Sequence, residues 1–454
     1  MRANAVRTVV VLAAAGVALT VARGTADAPH VYAITGARVV TVAGPPLATG
    51  TVVIRNGVID AVGPSVPVPP DAFVIDAKGA TVYPGLIDMG STVAVTVPPV
   101  ADPRTGATRE EVDRWRRSVI LRPDVAAATL VQVDAPDLVK RASAGITTVL
   151  STPPGEVVRG QSALVNVAAP AEDPQIGDIA APRRGLIVVR TPVALHVAFS
   201  EGPSRFRAFP ESLMGVIAFV RQAFLDARHY QTEQQFYARG PGAVTRPVDD
   251  PALAAMLPAV EGRLPVAFEA RAAREIRRAL ALARELKLDP IVTWAREADQ
   301  VAPDLKRANA RVILSLDYPT RPKSLAPDAD EPLRVLRDRA NAPKAAAALE
   351  AAGVLFAFQS ESLKEPREFL ANAAKAVKAG LAADAAIRAL TINAARIAGA
   401  SDRLGSIEKG KLANIIVADG DLFGENTSFR HVFIDGRPVA LEKTGERRTT
   451  SSSH

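Results

Sequence analysis

The 454-residue chain is 48% hydrophobic and 23% charged, an ordinary globular composition with room for more than one core, which excludes a disordered or collagenous chain. It has no cysteine and five histidines (His30, His196, His229, His431 and His454), so disulfides, thiolate metal centres and a lipidated N-terminal cysteine are excluded, and an imidazole-rich zinc centre has few donors to draw on. The formal charge of +7 includes arginines interleaved with acids, as in residues 271–284, with no aromatic residues among them; that is the pattern of solvated helix faces, not of a nucleic-acid groove.

Residues 1–28 read as a secretory signal peptide: Arg2 and Arg7, an apolar run at 9–22, then the small-x-small sequence Ala26-Asp27-Ala28. The run of about 14 residues is short against the ~20 needed to span a bilayer, so the reading is export, to the periplasm or outside the cell, with no stable membrane anchor once the segment is cut. From Tyr32 to Val82 short β-branched runs alternate with turn signals. Runs at 51–55 and 58–62 flank Asn56-Gly57, which predicts a hairpin, and further strands are expected at 37–42, 73–76 and 81–84. After Pro84 the rhythm changes to strand followed by helix. Strands are predicted at 264–268, 290–294, 311–316 and 352–358, separated by helical patterns at 272–286 and near 298–308, with another at 366–379. A further helical stretch covers 212–230 and contains His229. Beyond residue 400 β punctuation returns at 405–407, 410–412, 414–419 and 431–435, and the polar segment 443–454 reads as a disordered tail.

The sum is an α/β chain: a (β/α)8 TIM barrel over residues 84–402, with a composite β-sandwich domain made by N-terminal residues 29–83 and C-terminal residues 403–442 pairing beside it. Pro84-Gly85-Leu86-Ile87-Asp88, residues 389–396 with 404–414, and Ala144-Gly145-Ile146-Thr147-Thr148-Val149 resemble motifs of the metal-dependent amidohydrolase superfamily, in its imidazolonepropionase-like branch, over residues 31–440 in order. The resemblance implies that fold, zinc as cofactor, and hydrolysis of C–N bonds in amides and cyclic amides. It also implies a His-x-His pair past Asp88, where this chain has Gly90 and Thr92, and two more metal-binding histidines, where it has Glu269 and Trp294. The acid expected to carry the proton after the last barrel strand is matched by Glu361. Glycine has no side chain and a threonine hydroxyl is a poor zinc ligand, so no cofactor is expected.

Three functions stay open. One is a pseudoenzyme, acting as a binding or partner subunit, either as a homodimer or in a heteromer with an active paralogue. The second is a C–N hydrolase in which Glu269 and Glu361, with His196, serve as acid and base. The third is a binding protein for small cations, with Trp294 and the two acids as the wall. Against these stand plainer readings: Glu269 neutralised by Arg271 or Arg296, Trp294 as a plug, His196 as a buried hydrogen-bonded core residue, His229 as a surface residue, and Gly160-Gln161-Ser162 as a capped turn.

Overall fold

A computed structural model describes residues 31–441 apart from 93–94, 133–135, 168–187, 200–208, 241–244, 327, 361–362 and 425–426. The signal-peptide and tail readings therefore lie outside the described residues, and so does Glu361. No described helix is long and apolar enough to cross a membrane.

The first five strands are β1 (Val31–Val39), β2 (Leu47–Arg55), β3 (Val58–Gly63), β4 (Phe73–Asp76) and β5 (Ala80–Pro84). Asn56 and Gly57 join β2 to β3 with φ of 51° and 86°, the left-handed pair that a two-residue hairpin turn demands. β1 begins six residues before the expected 37, because the bulge between Ile34 and Ala37 splits its alternation into two phases. The next ten strands are β6 (Leu86–Ser91), β7 (Ile146–Ser151), β8 (Val158–Gln161), β9 (Ala163–Asn166), β10 (Val188–Arg190), β11 (Leu195–Ala198), β12 (Val266–Glu269), β13 (Pro290–Thr293), β14 (Arg311–Ser315) and β15 (Phe356–Gln359). The chain closes with β16 (Ile415–Asp419), β17 (Phe429–Ile434) and β18 (Arg437–Pro438).

The first and last described strands share one sheet, because β5 pairs antiparallel with β16, from Ala80 against Asp419 to Pro84 against Ile415. In the middle, β11 to β15 run parallel, β6 runs parallel to β7, and β15 lies beside β6. The antiparallel strands β8, β9 and β10 interrupt the expected strand-helix repeat. Their four-residue or shorter runs are too brief to show a period. Helices Ala273–Glu285 and Arg367–Lys378 agree with expectation, whereas 212–230 is the start of Leu213–Arg239, and 298–308 divides into a 3₁₀ turn Ala298–Val301 and helix Ala302–Arg307.

Alternation along the parallel strands decides which side chains can reach a site. Val266 and Phe268, Val292, Val312 and Leu314, and Phe356 and Phe358 turn outward to the helices in one large core. Ala267, Ile291, Ile313 and Ala357 belong to a second, inner core with Ile87, Met89 and Leu150. With period two, the next inward positions at the carboxyl ends are Glu269, Thr293, Ser315 and Gln359.

A buried polar knot ties the terminal sheet to β7 and β9. Asn414 Nδ2 donates to Asn166 Oδ1 (2.8 Å) and Thr148 Oγ1 (3.1 Å), its Oδ1 accepts from Asp435 N–H (2.9 Å), and Asn166 Nδ2 donates to Asp435 Oδ1 (2.8 Å). Asn414→Leu leaves the buried Asp435 N–H without its acceptor and takes one of two donors from Asn166 Oδ1, which keeps Thr148 Oγ1 at 2.9 Å, and the expected loss is about 2 kcal/mol in a urea unfolding curve. A loss below about 0.5 kcal/mol would mean that the knot does not hold the two sheets together.

Candidate functional site

A cavity of about 180 Å³ opens at the carboxyl ends of the parallel strands, where ligand sites of such architectures form. It is lined by Gly90 and Thr92 past the middle of β6, His196 on β11, Glu269 at the end of β12, Trp294 just after β13, and Gln359 at the end of β15. The first five of these are sequence-predicted positions. Gln359 was not among them, and neither was Arg159 on β8, which also lines the space.

Glu269 is held between two arginines. Arg159 Nη1 lies 2.7 Å from its Oε2, and Arg271 Nη2 lies 3.7 Å from its Oε1. Arg296, the other anticipated neutraliser, instead donates to the Asp317 carbonyl at 3.2 Å. The Arg271 guanidinium also lies 3.9 Å from the centre of the Trp294 ring, so one face of the indole that was expected to receive a cation already carries one of the protein's own. Trp294 has φ of 65°, a conformation unusual for a bulky residue, and strand β13 ends at the residue before it.

At Gly90 a β-carbon would stand 2.8 Å from Gln359 Oε1 and 3.2 Å from Gln359 Cβ. The amide side chain of Gln359 thus takes the space where a larger residue at position 90 would begin. Gln359 is 1% exposed, and its Nε2 is a buried donor with no acceptor among the described residues. His196 is 6% exposed, and its Nε2 likewise has no hydrogen-bond partner among the described residues, unlike the hydrogen-bonded core histidine of the plainer reading. Burial, helped by the nearby Arg159 charge, lowers the His196 pKa to about 3, so the imidazole is neutral throughout the physiological range and is a poor proton acceptor there.

Behind the cavity floor, Asp88 of β6 is fully buried and accepts hydrogen bonds from Arg141 Nη1 (2.7 Å), Ser360 Oγ (2.6 Å) and Ser360 N–H (2.8 Å). This pins the end of β15 to β6. Glu361 follows directly but lies outside the described residues, so nothing here brings it together with Glu269. His229 is far from this chemistry: it is exposed and pairs with Glu233 one helical turn on. Gln161 of the Gly160-Gln161-Ser162 segment ties chain segments together, its amide donating to the carbonyls of Pro123 (3.1 Å) and Ala255 (3.2 Å).

Among the described residues no three His, Cys, Asp or Glu groups come together as a metal cage would require. Gln359 was legible in principle, being in phase with Ala357 on a strand whose inward residues are 357 and 359. Arg159 was not, because β8 gives no periodic signal.

The amidohydrolase family model matches residues 273–439. The chain is 24% identical over 420 residues to the amidohydrolase TasK of Hapsidospora irregularis, covering 88% of this chain and 41% of that protein, so it spans about two-fifths of the length of this curated relative. Among solved structures it is similar to an amidohydrolase from Thermotoga maritima MSB8, with TM-score 0.70, 24% identity, and coverage of 90% of this chain and 100% of the other. It is also similar to a prolidase complexed with N-methylphosphonate-L-proline, with TM-score 0.53, 19% identity, and coverage of 91% and 100%. The family match, which includes the motif around Asn414, and the curated relative show that the chain is similar to amidohydrolases.

Proposed function

We propose that this is an exported amidohydrolase-fold protein that holds a small molecule in the cavity and does not perform metal-assisted hydrolysis. In this reading the parallel strands close into a barrel where β15 lies beside β6, and the terminal sheet is the wall of a composite sandwich. Release to the periplasm or the exterior is supported by the basic, apolar and small-residue order of positions 1–28. A second copy, or an active paralogue, remains the partner proposed from the pseudoenzyme reading.

The observation that carries the proposal is the state of Glu269. At the positions where the family would place zinc ligands there is no side chain (Gly90), a neutral hydroxyl (Thr92), an indole (Trp294), and a carboxylate already ion-paired to Arg159 and Arg271. A dication brought here would meet two guanidinium charges before it met two free donors, so this set does not fit zinc. The pairing of Glu269 also weighs against using it as a free acid or base, and the low pKa of His196 weighs against a histidine base at neutral pH.

The protein purified without chelator is expected to contain well below one equivalent of zinc, manganese or magnesium per chain by elemental analysis. It is also expected to leave amides and cyclic imides intact with each metal added. One tightly held equivalent, together with turnover that vanishes on chelation and returns on reconstitution, would establish the C–N hydrolase reading instead.

A further inference from the structure

Resting on the binding reading, we infer that the cavity takes a small anion, a carboxylate on a compact polar body, and not a cation. Three buried nitrogen atoms in or beside the cavity have no hydrogen-bond partner among the described residues, Gln359 Nε2, Arg159 Nε and His196 Nε2, and neither has one buried acceptor, Glu269 Oε2, which keeps its ion pair with Arg159. The first two are donors only, and a neutral imidazole can supply a donor at the third. Buried donors without acceptors are costly, and a group consisting only of acceptor oxygens satisfies them best. A carboxylate is such a group; an amine is not.

The space outside agrees. Glu269 also borders a second, more open depression of about 580 Å³, whose wall carries Arg271, Arg274 and Arg278 with Glu275. Arg274 and Arg278 stand one turn apart on helix Ala273–Glu285 and have no acidic partner among the described residues. Glu275 is engaged with the N–H groups of Arg271 and Ala272 at that helix start. Among the described residues, four arginines and two glutamates line the two adjoining spaces, an excess of positive charge that draws anions in and repels amines. The small inner volume, below the ~300 Å³ of an ordinary drug-sized pocket, limits the occupant to a few heavy atoms.

The test is calorimetric titration of the full chain with N-acetylglycine, its uncharged analogue N-acetylglycinamide, and putrescine. N-acetylglycine is expected to bind about tenfold or more tightly than the amide, with putrescine not binding. Gln359→Glu, which puts a carboxylate on the floor, should weaken N-acetylglycine by at least about tenfold and by more than it weakens the amide. Because that variant is buried, the surface variant Arg274→Ala/Arg278→Ala provides a second arm: its association with N-acetylglycine should be slower at low salt and the difference should vanish at high salt. Tighter binding of the amide or of putrescine overturns the inference while leaving a binding protein. No binding by any probe also overturns it. Chelator-sensitive cleavage of N-acetylglycinamide removes the reading beneath it.

Discussion

Arg141→Met is expected to destabilise the protein by about 3–5 kcal/mol, a large effect for one side chain. Asp88 has no exposed surface, and its carboxylate depends on the Arg141 guanidinium at 2.7 Å for charge compensation. Methionine fills comparable volume, so the loss isolates the charge from packing. Ser360 still donates through Oγ and N–H, which satisfies oxygen lone pairs but leaves a net charge in the interior. The measurement is urea unfolding of Arg141→Met beside the double variant Asp88→Asn/Arg141→Met, in which the stranded charge is gone. The double variant should regain a substantial part of the loss, because an amide can keep the Ser360 bonds. A single variant within about 1 kcal/mol of the parent would refute the view that this pair fixes the end of β15.

Acid should destabilise the protein through His196, and the sign follows from linkage. The imidazole pKa is lowered from 6.5 in the unfolded chain to about 3 in the folded one, mainly by burial and secondarily by the Arg159 charge. Between those values the unfolded state binds a proton that the folded state does not. Stability is therefore complete above about pH 6.5 and falls as pH drops toward 3, by up to about 1.4 kcal/mol per pH unit for this one group. His196→Gln, which keeps a polar side chain that never titrates, should remove that slope between pH 6 and 4 while the carboxylate contributions common to both proteins remain. Equal slopes for parent and variant across that range would show that the imidazole is not held neutral by the fold.

Both effects arise from groups whose importance was invisible as spacing. Asp88 was recognised as part of a motif, but its partners lie 53 residues away at Arg141 and 272 residues away at Ser360, and no periodic pattern links them. His196 was read on a strand because its neighbours alternate, and β11 is that strand. Its missing partner and its proximity to Arg159 depend on β8 pairing with β11, a contact that four residues of sequence do not announce. Trp294 was placed near the end of its strand, while the guanidinium over its ring comes from Arg271, beyond the neighbouring β12.

The sequence by itself determined the strand–helix order between residues 264 and 316, the hairpin at Asn56-Gly57, and the motifs that resemble those of amidohydrolases, because period and turn chemistry are local properties written in consecutive residues. It also determined which side chains occupy the expected ligand positions. Only the tertiary structure decided what those side chains do. Gln359 occupies space beside Gly90, two arginines claim Glu269, and Asn414 ties the terminal sheet to the interior. These are meetings between residues far apart in sequence, and in a close-packed interior the partner of a polar group is fixed by strand register and inward phase, not by its neighbours along the chain.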